Sequence, residues 1–249
     1  MTDLTTADGV RLSARRWTQQ QFAPSTVVLV HGFSASKDHP DVVAVAQALA
    51  DSGFGVLAYD ARGHHDSDGL CTLGDAERYD VAAAVESARV VSERVVTVGA
   101  SMGAIAVLRH ASEDSTLDGA VTVSAPAQWK LPQNVSGLFA AALSRTRVGR
   151  AMAARHFGVR VDPEWNDPPP PLTVAADVRS PLAVIHGEVD RMIPFSEAQR
   201  LVEGAGGPTR LEIVRGMGHA FDSRGIPAIV AAVRWALDEQ SVDPGLATA

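Results

Sequence analysis

The pentapeptide Gly99-Ala100-Ser101-Met102-Gly103 places a serine where its hydroxyl could act as a nucleophile. An apolar, β-branched run precedes it, and an alanine-rich helical pattern follows it. A sharp turn between strand and helix needs small neighbours and projects its central side chain outward. The turn also leaves the N–H of Met102 at the start of a helix, where it could stabilise an oxyanion. A plain strand-to-helix turn is the alternative interpretation.

A serine hydroxyl needs a base, and among the eight histidines His219 is the best placed. It follows the last predicted strand through the glycine-rich loop VRGMGH, so it can reach across the strand ends. Asp190, in VIHGEVDRMIP, is the candidate acid that orients it, with Glu188 as the fallback. Asp222 lies so close in sequence to His219 that local capping is its expected role. The chain order Ser101, Asp190, His219 is that of a serine hydrolase acting by acyl transfer.

A second oxyanion donor is expected from the loop after an earlier strand, VVLVHGFSASKD. Gly32 lets the backbone approach the site, and the N–H of Phe33 is the candidate. The Phe33 ring is then free to line a substrate pocket. The other side chains that we expect in this pocket are Trp129, Phe139 and Ile193.

Two further groups of histidines could carry chemistry but are expected to be structural. His31 and His186 close buried strands next to glycines, which predicts packed and hydrogen-bonded rings. His64 and His65 share a loop with two aspartates, a set that could suggest a metal site. Adjacent side chains point apart and no spacing for a third ligand follows, so we expect no metal.

The composition is that of an ordinary globular chain and argues against several kinds of partner. Of the 249 residues 46% are hydrophobic and 20% are charged, and the formal net charge is −7. Phosphate binding needs a basic face, so we expect no nucleic-acid partner. The N-terminus lacks a signal-peptide pattern, no run reaches the ~18 apolar residues of a membrane span, and Cys71 is the single cysteine. These features predict a cytoplasmic location. On the separate ground of the serine chemistry above, we expect a monomer or homodimer that acts on a small-molecule ester without a cofactor.

Short apolar runs alternate with amphipathic patterns of about a dozen residues, which predicts βαβ units on a mainly parallel sheet. A hairpin around Asp8-Gly9 is expected to begin the chain. Later strands are predicted in STVVLVH, FGVLAYD, RVVTVG, LDGAVTVSAP, SPLAVIHG and TRLEIVRG, and helices in residues 41–53, 75–92, 102–112 and 226–240.

One region breaks this rhythm, because the chain between two predicted strands is too long for a simple crossover. We expect a small helical lid inserted at residues 127–173, with an arginine-rich stretch and the proline run DPPPPL. The α/β core then comprises residues 1–126 and 174–240, and residues 241–249 form a flexible tail. The arginines of the lid are expected to form a solvated face, and its apolar side chains to form a small core or to line the pocket.

The segments HGF, YDARGHHDSDG, GASMG, HGEVDRMIP and GMGHAF resemble the α/β-hydrolase superfamily, over roughly residues 27–235. Within it the sequence is most similar to small microbial carboxylesterases, including the feruloyl or cinnamoyl esterase group. His65 stands where such loops usually have glycine, and Ala100 where a larger residue is common. The resemblance implies an α/β-hydrolase fold, with Ser101 as the nucleophile, His219 as the base and Asp190 as the acid that orients it. It also implies that the N–H groups of Phe33 and Met102 are the two oxyanion donors.

We therefore expect a serine hydrolase that cleaves carboxylic esters of small to medium acyl or aromatic acids through an acyl-enzyme. The same residues would serve a thioesterase, a lysophospholipase or monoacylglycerol lipase, an amide or peptide hydrolase, or an acyltransferase. A dehalogenase or epoxide hydrolase is disfavoured, because Ser101 stands where those enzymes have aspartate. A non-catalytic binding protein on the same scaffold stays open, since such proteins can keep these residues.

Overall fold

Eight strands form one sheet in the computed structural model, which describes residues 2–17, 23–128, 141–165 and 167–239. Their spatial order is β1-β2-β4-β3-β5-β6-β7-β8. The pairs β1–β2 and β2–β4 are antiparallel and the other five are parallel, which confirms the predicted hairpin and mainly parallel sheet. The strands are β1 (Thr2–Thr5), β2 (Arg11–Trp17), β3 (Ser25–Val30), β4 (Gly55–Tyr59), β5 (Arg94–Ala100), β6 (Gly119–Val123), β7 (Leu182–Gly187) and β8 (Thr209–Val214).

Helices cover both faces of this sheet and divide the core into two layers. One layer lies between the sheet and helices α1 and α7, and the other lies between the sheet and α2, α3, α5 and α6. Because both faces are covered, the central strands are continuous runs of apolar residues rather than alternating ones. The helices are α1 (Pro40–Asp51), α2 (Glu77–Arg89), α3 (Met102–Glu113), α4 (Arg147–Met152), α5 (Pro171–Ala175), α6 (Phe195–Gly204) and α7 (Ile226–Glu239).

The closing helix α7 shows how the sequence pattern produces these layers. Pro227 stands in its first turn, where the missing N–H costs no hydrogen bond. Apolar side chains recur at the helical spacing and form one buried stripe against the sheet. The stripe comprises Ile229, Ala232, Val233, Ala236 and Leu237.

The structure differs from the sequence prediction at α6, a helix that the sequence analysis did not assign. Its apolar residues Phe195, Ala198, Leu201 and Val202 do recur at helical spacing, but the helix is only ten residues long and buries just Ala198 and Leu201. In the inserted region, which was expected to be helical, α4 continues directly into one π-helical turn at Ala153–Phe157, which ends at Gly158 with a φ of 65°. None of the described helices is both long and apolar enough to cross a membrane.

A buried ion pair fastens the loop after β3 to the end of β4. The Nζ of Lys37 lies 2.8 Å from Oδ2 of Asp60, and the Lys37 N–H donates to Oδ1 of the same carboxylate. The two side chains are 2% and 0% exposed. Removing one partner of such a pair leaves a charge in the interior that water cannot solvate.

We expect Lys37→Met to lower the free energy of unfolding by about 3 kcal/mol, because Asp60 loses its buried counter-charge. Urea unfolding monitored by circular dichroism measures this change. The control is Arg210→Met, which removes an arginine paired with Glu212 at the surface and should cost less than about 1 kcal/mol. Equal losses in the two variants would contradict a special role for the buried pair.

Candidate active site

Ser101 occupies the turn between β5 and α3 in a backbone conformation that side chains rarely adopt, with φ 54° and ψ −114°. The neighbouring glycines make this turn possible. A Cβ on Gly99 would collide with the backbone of Gly103, and a Cβ on Gly103 would lie 2.5 Å from the carbonyl oxygen of Val30. The Ser101 N–H donates to the Val123 carbonyl at 2.9 Å, so the adjacent strand holds the turn in place.

Ser101, His219 and Asp190 form one chain of hydrogen bonds across the carboxyl ends of the strands. His219 Nε2 lies 2.9 Å from Ser101 Oγ, and His219 Nδ1 lies 2.8 Å from Asp190 Oδ2. An ionised carboxylate only accepts hydrogen bonds, so Nδ1 carries the imidazole proton and donates it to Asp190. Nε2 is then the acceptor for the Ser101 hydroxyl, which is the arrangement that a general base requires.

The Asp190 carboxylate is held in its ionised form although its side chain is only 1% exposed. Burial opposes ionisation, but the hydrogen bond from His219 and those from the N–H groups of Ile193 and Met192 outweigh it and lower the pKa of Asp190 to about 2. The other two acids considered from the sequence lie elsewhere. Glu188 accepts from the Gly216 N–H, and Asp222 caps the short turn that follows it.

Ser124, at the end of β6, supports the histidine loop and was not singled out from the sequence. Its Oγ accepts from the N–H of Ala220, the residue after His219, at 3.1 Å. Ser124 and Ala220 both have positive φ, 51° and 61°, although neither is glycine. The strained backbone of Ser124, at the end of a strand next to a catalytic candidate, marks this residue in the structure. A sequence does not reveal φ, so this signal was not available to the sequence analysis.

The two N–H groups expected to stabilise an oxyanion both border the space in front of Ser101. Phe33 follows Gly32, which lies so close to the serine that a Cβ added to Gly32 would be 3.5 Å from Cβ of Ser101. Met102 begins α3 directly after the serine. Within the part of the chain that the structure describes, neither N–H has a hydrogen-bond partner, so both are free to bind an anionic oxygen.

Ser101 and His219 open onto a cavity of about 570 Å³, a size within the range of small-molecule sites. Phe33 and Ile193 line it, while Trp129 and Phe139, the other two residues expected there, lie outside the described residues. Two charged side chains, Asp41 and Arg145, also border it. The larger apolar side chains of the lining are Phe33, Val42, Leu73, Met102, Ile105, Leu143, Phe157, Trp165, Met192, Ile193 and Phe221.

The remaining candidate histidines are buried and bonded to the backbone. His31 Nε2 accepts from the Ala61 N–H, and burial lowers its pKa well below 6.5, so it is a neutral side chain of the interior. His186 Nε2 lies 3.0 Å from the Ile193 carbonyl oxygen, and His64 lies between two carbonyl oxygens. Over the described ranges, no group of three His, Cys, Asp or Glu side chains is arranged to hold a metal ion.

Comparison with known families and structures places the chain among hydrolases. The model of a hydrolase family described as serine aminopeptidase, S33, matches residues 23–166. No curated protein sequence matches the chain at a significant level.

Solved structures share the fold over nearly the whole chain. The esterase Pf2001 of Pyrococcus furiosus is 24% identical with a TM-score of 0.74, over 96% of this chain and 90% of that one. Est1E of Butyrivibrio proteoclasticus with bound ferulic acid is 20% identical with a TM-score of 0.68, over 96% and 99%. The α/β-hydrolase GrgF of Penicillium sp. sh18 is 19% identical with a TM-score of 0.70, over 96% and 97%. These likenesses confirm the α/β-hydrolase fold that the sequence motifs implied.

We expect the ionised Asp190 to stabilise the folded protein by ~2 kcal/mol at neutral pH. Its pKa is about 2 when folded against a usual 3.8, so the folded state binds this proton less readily than the unfolded state. The stabilisation is therefore complete above about pH 4 and is lost as the pH falls towards 2. Urea unfolding of the wild type and Asp190→Asn between pH 2 and 6 measures it.

In Asp190→Asn the free energy of unfolding should depend less steeply on pH over that interval. Ser101→Ala is the control, because it removes the far end of the same hydrogen-bond chain without removing a titrating group. Parallel curves for the wild type and Asp190→Asn would show that the carboxylate is not held in its ionised form by the fold.

Proposed function

The chain belongs to the serine aminopeptidase S33 family of hydrolases, and we propose that it is a serine esterase for small to medium acyl or aromatic acids. The observation that carries the proposal is the hydrogen-bond chain from Ser101 through His219 to Asp190, which opens into an apolar cavity. An activated hydroxyl beside an apolar cavity suits a substrate whose acyl group is uncharged and water-repelling.

Acylation begins when His219 Nε2 takes the proton of the Ser101 hydroxyl as Oγ attacks the ester carbonyl carbon. The carbonyl oxygen becomes an oxyanion, which accepts hydrogen bonds from the N–H groups of Phe33 and Met102. Collapse of this intermediate breaks the bond to the alcohol oxygen, which receives the proton from His219 Nε2. The alcohol leaves and the acyl group stays on Ser101 as an ester.

Deacylation repeats these steps with water. His219 Nε2 removes a proton from water as the water oxygen attacks the acyl carbon, and the same two N–H groups hold the oxyanion. Collapse expels Ser101 Oγ, which recovers its proton from His219, and the carboxylic acid leaves. Asp190 keeps the imidazole in the required tautomer and stabilises its charged form, and no cofactor takes part.

The cavity supports an ester rather than an aminopeptidase substrate, although the family description names an aminopeptidase. An aminopeptidase must hold the α-ammonium group of its substrate near the scissile bond, which calls for acidic oxygens there. Asp41 is the one acidic side chain among the described residues that border the cavity, and it is half exposed in the first turn of α1. Hydrolysis of an apolar ester needs no such partner.

We also propose that residues 127–173 act as the lid that sets substrate size. Leu143, Phe157 and Trp165 of this segment contribute apolar wall to the cavity opposite Ser101 and Met102 of the core. The arginine that borders the cavity is occupied, because Arg145 pairs with Asp167 and lies over the Trp165 ring. A cytoplasmic location is part of the proposal on separate grounds: the lone Cys71 is buried and can form no intrachain disulfide.

We expect Ser101→Ala to lower kcat for p-nitrophenyl esters by about 10⁴-fold or more, because the nucleophile is lost. Initial rates on acetate through decanoate esters, with methyl ferulate and amino-acid p-nitroanilides alongside, measure the reaction class. Ser112→Ala, a serine change within the same helix α3, is the matched control and should keep wild-type rates. Ester rates that survive in a folded Ser101→Ala protein would refute the proposal, and faster hydrolysis of the anilides would replace it with an aminopeptidase.

We expect Leu143→Phe to shorten the acyl chains that the enzyme prefers. Leu143 is 5% exposed and borders the cavity, so a larger ring there removes space next to Ser101. The ratio of kcat/KM for decanoate to that for acetate should fall about tenfold, the scale of one to two displaced methylenes. Val148→Phe, at a residue 72% exposed on neighbouring α4, is the control that should leave the ratio unchanged. A constant ratio in Leu143→Phe would place the acyl group elsewhere.

A further inference from the structure

His64 is a fully buried side chain that reaches the loop after β3 from a different part of the chain. Its Nε2 lies 2.8 Å from the carbonyl oxygen of Phe33, and its Nδ1 lies 3.0 Å from that of Arg62. The ring also meets the Phe33 ring edge-on, with 6.1 Å between centroids. His64 therefore contacts both the backbone and the side chain of Phe33, whose N–H is a proposed oxyanion donor.

The imidazole can donate to only one of these two oxygens while it is neutral. Burial lowers the pKa of His64, so the ring carries a single proton at neutral pH. The shorter distance is the one from Nε2 to the Phe33 oxygen, which is a normal length for a donated hydrogen bond. We assign the proton to Nε2 on that basis.

The peptide unit that joins Gly32 to Phe33 carries the Phe33 N–H and is held through its carbonyl oxygen. The Gly32 carbonyl accepts from His31 Nδ1 at 2.7 Å and from the Ala35 N–H at 3.2 Å. A hydrogen bond to the Phe33 carbonyl fixes the far side of the same residue. With the peptide units on both sides of Phe33 held, the direction of its N–H is fixed at the edge of the cavity that Phe33 lines.

The segment that carries His64 is in turn pinned to the inserted region. His64 pairs with Val159 as an isolated antiparallel bridge, and the N–H of His65 donates to the Gly158 carbonyl at 2.9 Å. The Arg160 N–H donates to the Gly63 carbonyl at 2.7 Å. Residues 158–160 are thus hydrogen-bonded to the backbone on both sides of His64. Their position therefore determines where the His64 ring lies.

We propose that His64 is a positioning residue. Its Nε2–H donates to the Phe33 carbonyl and thereby fixes the direction of the Phe33 N–H that binds the oxyanion, while residues 158–160 hold the backbone around His64 in place. The inference rests on the proposed function, since it assumes that the Phe33 N–H stabilises an oxyanion. His64, the first histidine of the sequence His64-His65-Asp66, then contributes to the reaction through its donated hydrogen bond rather than through metal binding or packing. His64 acts through Phe33 and does not touch the substrate.

The test compares His64→Leu, which removes the donor but keeps apolar bulk, with His64→Gln, whose side-chain amide can donate again. We expect His64→Leu to lower kcat by about 10- to 100-fold with KM changed less than about threefold, because an oxyanion donor acts in the transition state. Affinity for a trifluoromethyl ketone, which mimics the tetrahedral intermediate, should fall by the same factor. His64→Gln should recover at least part of both losses.

The adjacent His65→Asn is the matched control, because asparagine tolerates the positive φ of 40° at that position. It should keep wild-type kcat and wild-type affinity for the ketone. A folded His64→Leu protein with wild-type kcat, or one in which only KM rises, would overturn the inference. Equal losses in His64→Leu and His64→Gln would also overturn it, because they would point to packing rather than to the donated hydrogen bond.

A spectroscopic measurement decides the question even if His64→Leu fails to fold. In ¹⁵N-histidine NMR of the wild type at neutral pH, the signals missing from His64→Gln identify the His64 ring. A protonated Nε2 supports the inference, and a protonated Nδ1 overturns it. Failure of the proposed function is recognised separately, by ester hydrolysis that persists in Ser101→Ala.

Discussion

The close approach of β5, α3 and β3 around Gly99 and Gly103 is the constraint on which the rest of the site depends. Ser101 can hold its left-handed backbone conformation only because no side chain intervenes between these elements. Such a conformation costs on the order of 1–3 kcal/mol, which the packed sheet must offset. The same turn then sets two features at once: it brings Ser101 Oγ within hydrogen-bond distance of His219, and it places the N–H of Met102 at the start of α3, without a partner among the described residues. The candidate nucleophile and one of the two proposed oxyanion donors thus come from a single local geometry.

The strained backbone is not confined to Ser101 but continues across neighbouring strand ends. The Ser101 N–H donates to Val123 at the end of β6, and the Ser124 N–H donates to Ile185 in β7. Ser124 then supports Ala220 through its hydroxyl. The hydrogen-bond pattern of the sheet is therefore extended past the strand ends to the histidine loop. This continuity explains how residues 118 positions apart, Ser101 and His219, meet at hydrogen-bond distance.

How much of this could be predicted follows from what a sequence pattern encodes. The Asp8-Gly9 turn predicted the hairpin, continuous apolar runs predicted the parallel strands that are buried on both faces, and helical spacing predicted most helices. Helix α6 was missed because it is short, although its apolar residues recur at helical spacing. Motifs at strand ends indicated Ser101, Asp190 and His219, which the structure brings together, while their catalytic roles stay predictions.

Residues that act through long-range contacts left no comparable trace in the sequence. Ser124 and His64 depend on partners far along the chain, Ala220 and Phe33, and on distances that only the folded backbone provides. The cavity wall is similar, since Leu73 of the loop before α2 and Ile105 of α3 meet only in the folded chain. Local motifs therefore predict which groups could react more readily than which groups hold them in place.

The loop after β3 shows why the holding groups matter as much as the reacting ones. His219 and Asp190 are oriented by their hydrogen bond to each other, whereas the Phe33 N–H, a proposed oxyanion donor, has no hydrogen-bond partner among the described residues. Its direction must be set by neighbouring groups, and three side chains tie the loop after β3 to residues 60–64. His31 bonds to Ala61, Lys37 pairs with Asp60, and His64 meets the Phe33 carbonyl. Residues 60–64 take no chemical part in the proposed mechanism, yet their contacts restrain the loop that carries the proposed oxyanion donor, and preorganised stabilisation of a transition state requires such restraint.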